Sequence, residues 1–315
     1  MEQYWIGSDI GGTNSNFSLI KTKDKKFKII LNKTYSTKDY NNIIDIINDF
    51  IQICLDKHNI LPKNSLFAIA GQINKEKILT PNIKLKIDKN EIMKKTSLTQ
   101  VEFINDFTAI TYSILKLKKE QIKILNIGKT NKQNNKPILI IGAGTGLGKS
   151  IYLQKEDIII ESEGGHYDFS PKETLEYELC EFIKKNKQKQ NIEIEDLVSG
   201  RGVENIYNFL SNKQLSAQEI FKLKNKDENC KKTVELFFKF YARSIKNFAL
   251  DILASEIYIG GGIISKNSTF SKTKFMKEFT DNKKYKDYLK NIPIKIIKDY
   301  NSSIIGVGHY IVKKL

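Results

Sequence analysis

The sequence predicts an α/β protein built as two units. Apolar strand-like runs alternate with segments of helical spacing along the chain of 315 residues. Glycine-rich turns follow strand runs in both halves. A strand, glycine turn, strand pattern near the start of the chain also returns around residue 140.

In the first unit, YWIGSDI (4–10), NFSLIKT (16–22) and KFKIILNKTYS (26–36) read as successive strands, the first two joined across Gly11 and Gly12. Residues 37–58 read as a helix, because Ile43, Ile44, Ile47, Phe50, Ile51 and Cys54 fall at spacings of three and four. LFAIAG (66–71) is a short buried-strand run, EFIN (102–105) is another, and DFTAITYSILKL (106–117) is a helix. The charge cluster KLKKEQ closes this unit.

The second unit begins with PILIIGAGTGLGKSIYL (137–153), again strand, glycine turn, strand. DIIIESEGG (157–165) adds a strand, and helices fill most of residues 171–255, with Leu175, Leu179, Phe182 and Ile183 as the first stripe. EIYIGGG (256–262) returns to a strand, and IPIKIIKD (292–299) supplies the last. The polar stretch KTNKQNNK (129–136) reads as a loop.

Composition narrows the function classes. The chain is 40% hydrophobic and 28% charged, a soluble globular balance. The formal charge of +16 is almost entirely lysine, Arg201 and Arg243 being the only arginines. Bidentate phosphate and base recognition calls for arginine, so the charge does not indicate a nucleic-acid partner. Cys54, Cys180 and Cys230 are odd in number and far apart, which suits a reducing compartment and no disulfide framework. The N-terminus lacks a basic and apolar leader pattern, and no apolar run is long enough to span a bilayer. The expectation is a cytoplasmic protein without a membrane partner.

Three glycine-rich turns carry the first chemical signal: DIGGTNSN (9–16), GAGTGLGKS (142–150) and IGGGI (259–263). Glycine lets a backbone approach a phosphate closely and present its N–H groups. AGTGLGKS (143–150) also fits a relaxed P-loop pattern, but a P-loop must open a helix. IYLQKEDIII follows instead, rich in β-branched and aromatic residues, so the reading is two related phosphate-holding hairpins, one per unit.

The second signal suits a polyol. ESEGGHYDF (161–169) offers Glu163 and His166 across two glycines, and EDLVSGRG (195–202) offers Glu195 beside another glycine pair. Carboxylates that accept from adjacent hydroxyls discriminate between epimers. A polar turn at 163–166 and a helix-start acid at 195 are the plainer alternatives. A metal pair is disfavoured, because a spacing of three serves ligands on a helix and Gly-Gly opposes one. In FINDFTAI (103–110), Asp106 reads either as the cap of the following helix or as a base at a strand's end.

Taken in order, DIGGTNSN, FAIAGQI, FINDFTAI, IGAGTGLG, ESEGGHYDF, EDLVSGRG and IYIGGGI resemble the bacterial glucokinases of the hexokinase-like, actin-type ATPase superfamily. The resemblance runs over nearly the whole chain, ending with SIIGVGHYIV (303–312). The cysteine-rich zinc motif of ROK sugar kinases is missing after His166. The resemblance implies a two-domain actin-like ATPase (ribonuclease H-like) sugar kinase fold with an interdomain cleft. The small α/β domain is expected at 1–115, joined by the C-terminal helix 302–315, and the large α/β domain at 116–301.

By position, Asp106 resembles the general base that takes the proton of the sugar 6-hydroxyl, while Asn105, Glu163, His166 and Glu195 match positions that bind glucose hydroxyls. Gly11, Gly12, Thr13 and Asn14 match the first ATP phosphate turn, with Asp9 near Mg2+ and holding it through water. Gly144, Thr145 and Gly146 match the second turn, and Gly260, Gly261 and Gly262 the adenosine segment. ATP and Mg2+ are the implied cofactors, glucose or a similar hexose the substrate, and a homodimer the assembly. Three departures stand out: Asn16 where relatives carry arginine, Gly71-Gln72 in place of a Cys-Pro pair, and a proline within LTPN (79–82) near the sugar-facing loop. Lys149 in the second turn is unusual too, and reads as a surface lysine. Gly306 and Gly308 suit a hinge or close packing of the last helix.

Overall fold

The computed structural model describes residues 2–73, 78–80, 83, 85–129, 136–267, 269–299 and 302–315. The chain divides into two compact units, Met1–Lys118 with Tyr300–Leu315, and Lys119–Asp299.

The first unit holds strands β1 (Gln3–Ile10), β2 (Asn14–Lys23), β3 (Lys26–Ser36), β4 (Asn64–Ile69), β5 (Gln72–Ile73), β6 (Ile78–Leu79) and β7 (Gln100–Asn105). Its helices are α1 (Ile43–His58), α2 (Lys89–Lys95) and α3 (Asp106–Ile114). The main sheet has the order β3-β2-β1-β4-β7; β5 and β6 make a separate pair. β1, β2 and β3 are antiparallel neighbours, whereas β1, β4 and β7 run parallel.

Helix α1 starts later than its expected bounds. Asn42 caps it, its Oδ1 accepting from Ile44 N–H at 3.0 Å, and Thr37–Asp39 form a separate 3-10 turn. The apolar stripe of α1 lies in one core cluster with Phe17, Phe67 and Val101 of the sheet. A second cluster joins Trp5, Ile20 and Leu66 of the sheet to Ala109 of α3 and to Ile304, Val307 and Ile311, which come from the far end of the chain.

The second unit contains β8 (Ile122–Asn126), β9 (Ile138–Ala143), β10 (Leu147–Leu153), β11 (Ile158–Ser162), β12 (Glu256–Gly260) and β13 (Ile294–Ile297). Its helices are α4 (Thr174–Lys187), α5 (Gly200–Ser211), α6 (Ala217–Leu223), α7 (Glu228–Asp251), α8 (Gly262–Lys266), α9 (Lys272–Phe279) and α10 (Lys286–Lys290). The sheet order is β11-β10-β9-β12-β13-β8. Its first five strands repeat the first unit's pattern, two antiparallel hairpin steps followed by two parallel neighbours. One apolar core unites this sheet with α4 to α7 and α9, including Phe237, Phe240 and Tyr241 of α7.

The last helix, α11 (Ser302–Lys314), belongs to the first unit and packs on α3. A Cβ on Gly306 would stand 1.7 Å from the carbonyl oxygen of Ala109, and one on Gly308 would stand 2.5 Å from the Phe27 ring. These glycines therefore serve close packing rather than a hinge. Most of the sequence-level loop at 129–136 lies outside the described residues.

Candidate active site

In the first unit, Ile10 stands opposite Ile69, and Ile69 opposite Asn105. The carboxyl ends of β1, β4 and β7 thus share one sheet edge, where open α/β sheets bind ligands. The turn Gly11–Thr13, Gly71 and the Asn105-Asp106 pair all leave from it. The first glycine turn closes with Gly11 N–H donating to Asn14 O at 3.0 Å. Thr37 braces it, its hydroxyl donating to Gly11 O at 2.8 Å and its N–H to Thr13 O at 2.9 Å. No sequence pattern marks Thr37 for this work; only the end of β3 brings it to the turn.

Asp9 is the penultimate residue of β1, beside the turn, and the Ser303 hydroxyl donates to its Oδ2 at 2.5 Å. Burial pushes the Asp9 carboxyl above its ordinary value, with the Ser303 bond pulling the other way. A hard oxygen donor whose charged form is penalised by burial fits a neighbouring cation such as Mg2+. Among the described residues no three His, Cys, Asp or Glu side chains gather to cage a metal. Mg2+ keeps several waters and phosphate oxygens, so one carboxylate is an adequate protein contribution.

The Asn105-Asp106 pair divides its work differently from the capping alternative considered for Asp106. The cap is Asn105: its Oδ1 accepts from Phe107 N–H at 2.8 Å and Thr108 N–H at 3.2 Å. Its Nδ2 donates to Gly71 O at 2.9 Å, tying the ends of β4 and β7 together. That nitrogen carries a second N–H, the atom with which Asn105 can meet a ligand. Asp106 is the first helical residue, with Oδ1 accepting from Phe107 N–H at 3.0 Å.

The second unit presents the corresponding hairpin. Gly144 N–H donates to Gly146 O at 2.8 Å, and Leu147–Leu153 leave the turn as a strand, so the P-loop reading fails. A Cβ on Gly144 would meet nothing within 4 Å, so no other group crowds that side of the turn. Gly260 pairs with Gly142 across parallel strands. Gly261 has φ of 90°, and a Cβ there would stand 2.6 Å from Ala143 O, so the third turn needs glycine to lie against the second.

Glu163 and His166 flank a 3-10 turn, and backbone bonds from Phe169 N–H to Ile192 O and from Ile194 N–H to Tyr167 O bring this turn beside residues 193–195. His166 Nδ1 lies 3.2 Å from Glu193 Oε2, and its Nε2 lies 3.9 Å from Glu163 Oε2. Burial lowers the His166 pKa, but the bond to Glu193 and the charges of Glu195, Glu193 and Glu163 outweigh it, and the net shift is upward. Glu195 is only 7% exposed. Its Oε2 accepts from Leu147 N–H at 3.1 Å and its Oε1 from Arg201 at 2.8 Å. Gly200 N–H donates to Gly144 O at 2.8 Å. Glu195 thus supports the second glycine hairpin as well as facing the His166 turn. Glu193 and Arg201 escaped the sequence reading, although Arg201 was visible as one of two arginines.

Comparison with known proteins decides the family, since residues 6–314 match the family described as Glucokinase. The chain belongs to the glucokinase family. A glucokinase from Nostoc punctiforme is 29% identical, over 96% of this chain and 97% of that one. The crystal structure of a glucokinase from an Antarctic psychrotroph aligns with a TM-score of 0.77 at 25% identity, covering 98% of each chain. A Balamuthia mandrillaris glucokinase solved in complex with glucose aligns with a TM-score of 0.79 at 22% identity, over 99% of this chain and 94% of that one. The glucokinase fold, two α/β units of actin-like type, accordingly covers the chain.

Within that family fold, two departures have local accounts. Asn16 is buried and accepts from the Thr34 hydroxyl at 2.7 Å, a bond between paired strands. Gly71 supplies the carbonyl that holds Asn105. Pro81 and Asn82 of LTPN lie outside the described residues. Among the described residues no helix is long and apolar enough to cross a membrane.

Proposed function

We propose that this chain transfers the γ-phosphoryl group of ATP to the 6-hydroxyl of glucose, giving glucose 6-phosphate. The observation that carries this reading is the division of work in the Asn105-Asp106 pair. Asn105 starts the helix, so the carboxylate of Asp106 at a sheet's carboxyl edge is not required as a cap and suits a general base.

In this reading Asp106 accepts the proton of the 6-hydroxyl as the phosphoryl group passes in line, and the second N–H of Asn105 orients the sugar. A positioned base contributes about 10² to 10⁴ in rate. Glu163 and Glu195 accept from other hydroxyls, and His166, with its raised proton affinity, donates. The turns Gly11–Asn14 and Gly144–Gly146 hold the phosphates through backbone N–H groups other than those of Gly11 and Gly144, which close the turns, and Gly260–Gly262 carry the adenosine. Asp9 would hold Mg2+ through water, and the ion would supply charge neutralisation on the phosphate oxygens. The same family reading gives a cytoplasmic homodimer.

The test is a coupled assay with Mg2+ across hexoses and amino sugars, each offered ATP, GTP and polyphosphate. Glucose with ATP is expected to give the highest kcat/KM. Phosphorylation of no sugar by any donor would end this reading, and a clear preference for another hexose would replace the substrate.

A further inference from the structure

The lysine that reads as a surface residue in the sequence is one of the most deeply buried charges in the second unit. Lys149, on β10, is 2% exposed. Its ammonium lies 3.5 Å from the carboxylate of Asp251, 4.4 Å from the Phe248 ring centroid and 5.6 Å from that of Tyr167. Asp251 is itself largely exposed, so the pairing is one-sided. Burying an ammonium opposes its charged form, and the Lys149 pKa is lowered for that reason, with Asp251 opposing. The two ring faces return part of the lost solvation.

What Lys149 touches gives the burial a purpose. Its strand leaves the second glycine turn, and it pairs in register with Ser162, one residue before Glu163. A Cβ on Gly164 would stand 2.9 Å from Lys149 Cδ and 3.3 Å from Phe248, and one on Gly165 would stand 2.3 Å from Leu147 O. The Glu163–His166 turn therefore rests directly on Leu147 and Lys149, with Tyr167 stacking edge-on against Phe248. The rest of the lysine's contacts, Phe248 and Asp251, come from α7.

We propose that Lys149 is a positioning residue for hexose recognition, clamping the Glu163–His166 turn between β10 and α7 through its cation. This deepens the function proposed above and rests on that reading, because it takes Glu163 and His166 as the residues that meet the sugar. The cationic head, beyond the hydrocarbon stem, holds Tyr167 and Phe248 together, and the turn is seated on them.

Lys149→Met keeps the stem and removes the charge, so it separates the clamp from simple packing. The KM for glucose is expected to rise on the order of tenfold, as for loss of one desolvated cation–ring contact, while the KM for ATP stays within about twofold. Amide hydrogen exchange at Gly164–Tyr167 in the sugar-free protein is expected to quicken. Lys149→Ala, which loses the stem as well, should exceed both effects. Wild-type exchange together with a wild-type KM in Lys149→Met overturns the proposal. Loss of glucose affinity with unchanged exchange overturns it too, since the lysine would then act elsewhere than through the turn. Faster exchange with unchanged glucose affinity in an active kinase shows that the turn does not grip the sugar, and rejects the assignment of Glu163 and His166. A wild-type chain inactive on glucose fails at the earlier reading, before any variant is compared.

Discussion

Asn105 and Asp106 are neighbours of nearly the same shape, and the backbone gives them different work. Asn105 ends β7 in extended conformation, where its Oδ1 meets two N–H groups of the first helical turn and its Nδ2 reaches Gly71 O. Removing the side chain should therefore cost stability. Asn105→Ala is expected to lose about 1 kcal/mol through the cap, plus a part for the orphaned Gly71 carbonyl, measured by urea denaturation; unchanged stability would show that the cap is dispensable. The sequence announced a polar pair at a strand–helix junction. It could not say which member caps, because Asn and Asp are equally good caps and the choice depends on where the strand ends. Lys149 was misread for a related reason: a lysine in a lysine-rich chain looks solvated, and only the chain folding over it, from Tyr167, Phe248 and Asp251, shows otherwise.

At the scale of elements, long segments with a stripe were legible and short ones were not. Helix α1 was visible from its buried isoleucines, although its start was placed too early, since the stripe begins only at Ile43 and Thr37 lies in a separate 3-10 turn that braces the glycine turn. Helices α2 and α10 carry one buried residue each, Ile92 and Leu289, and so offer no period to read. Strand β8 lies at a sheet edge with Ile124 60% exposed and an irregular register with β13, which hides its alternation. Helix α11 was expected from the family resemblance, which left its glycines open between a hinge and close packing. An exposed helical Gly→Ala change gains about 1 kcal/mol. Gly306→Ala is expected to lose about 2 kcal/mol or more instead, because its methyl must displace the Ala109 backbone of α3. Denaturant midpoints settle the sign, and a stabilised variant would contradict the packing described for α11.

At the scale of the whole chain, each unit folds around the same five-strand pattern, and each has a glycine hairpin at the matching step, between β1 and β2 in the first and between β9 and β10 in the second. That repetition was legible as two strand–glycine–strand runs, and the family match over residues 6–314 extends across both units. The partners of the site residues were less legible. Glu193 and Arg201 reach His166 and Glu195 only through chain pairing between residues 166–169 and 192–194, which no local pattern encodes. The central claim is that Asp106 acts as the base of a glucose kinase, and one substitution addresses it. Asp106→Asn keeps the shape and the acceptor for Phe107 N–H, and Asn105 keeps the cap. Steady-state kinetics with glucose and Mg-ATP should show kcat lowered by about 10² or more, with glucose KM within about threefold and stability changed by less than about 1 kcal/mol. A variant that turns over glucose at nearly the wild-type rate would contradict the account.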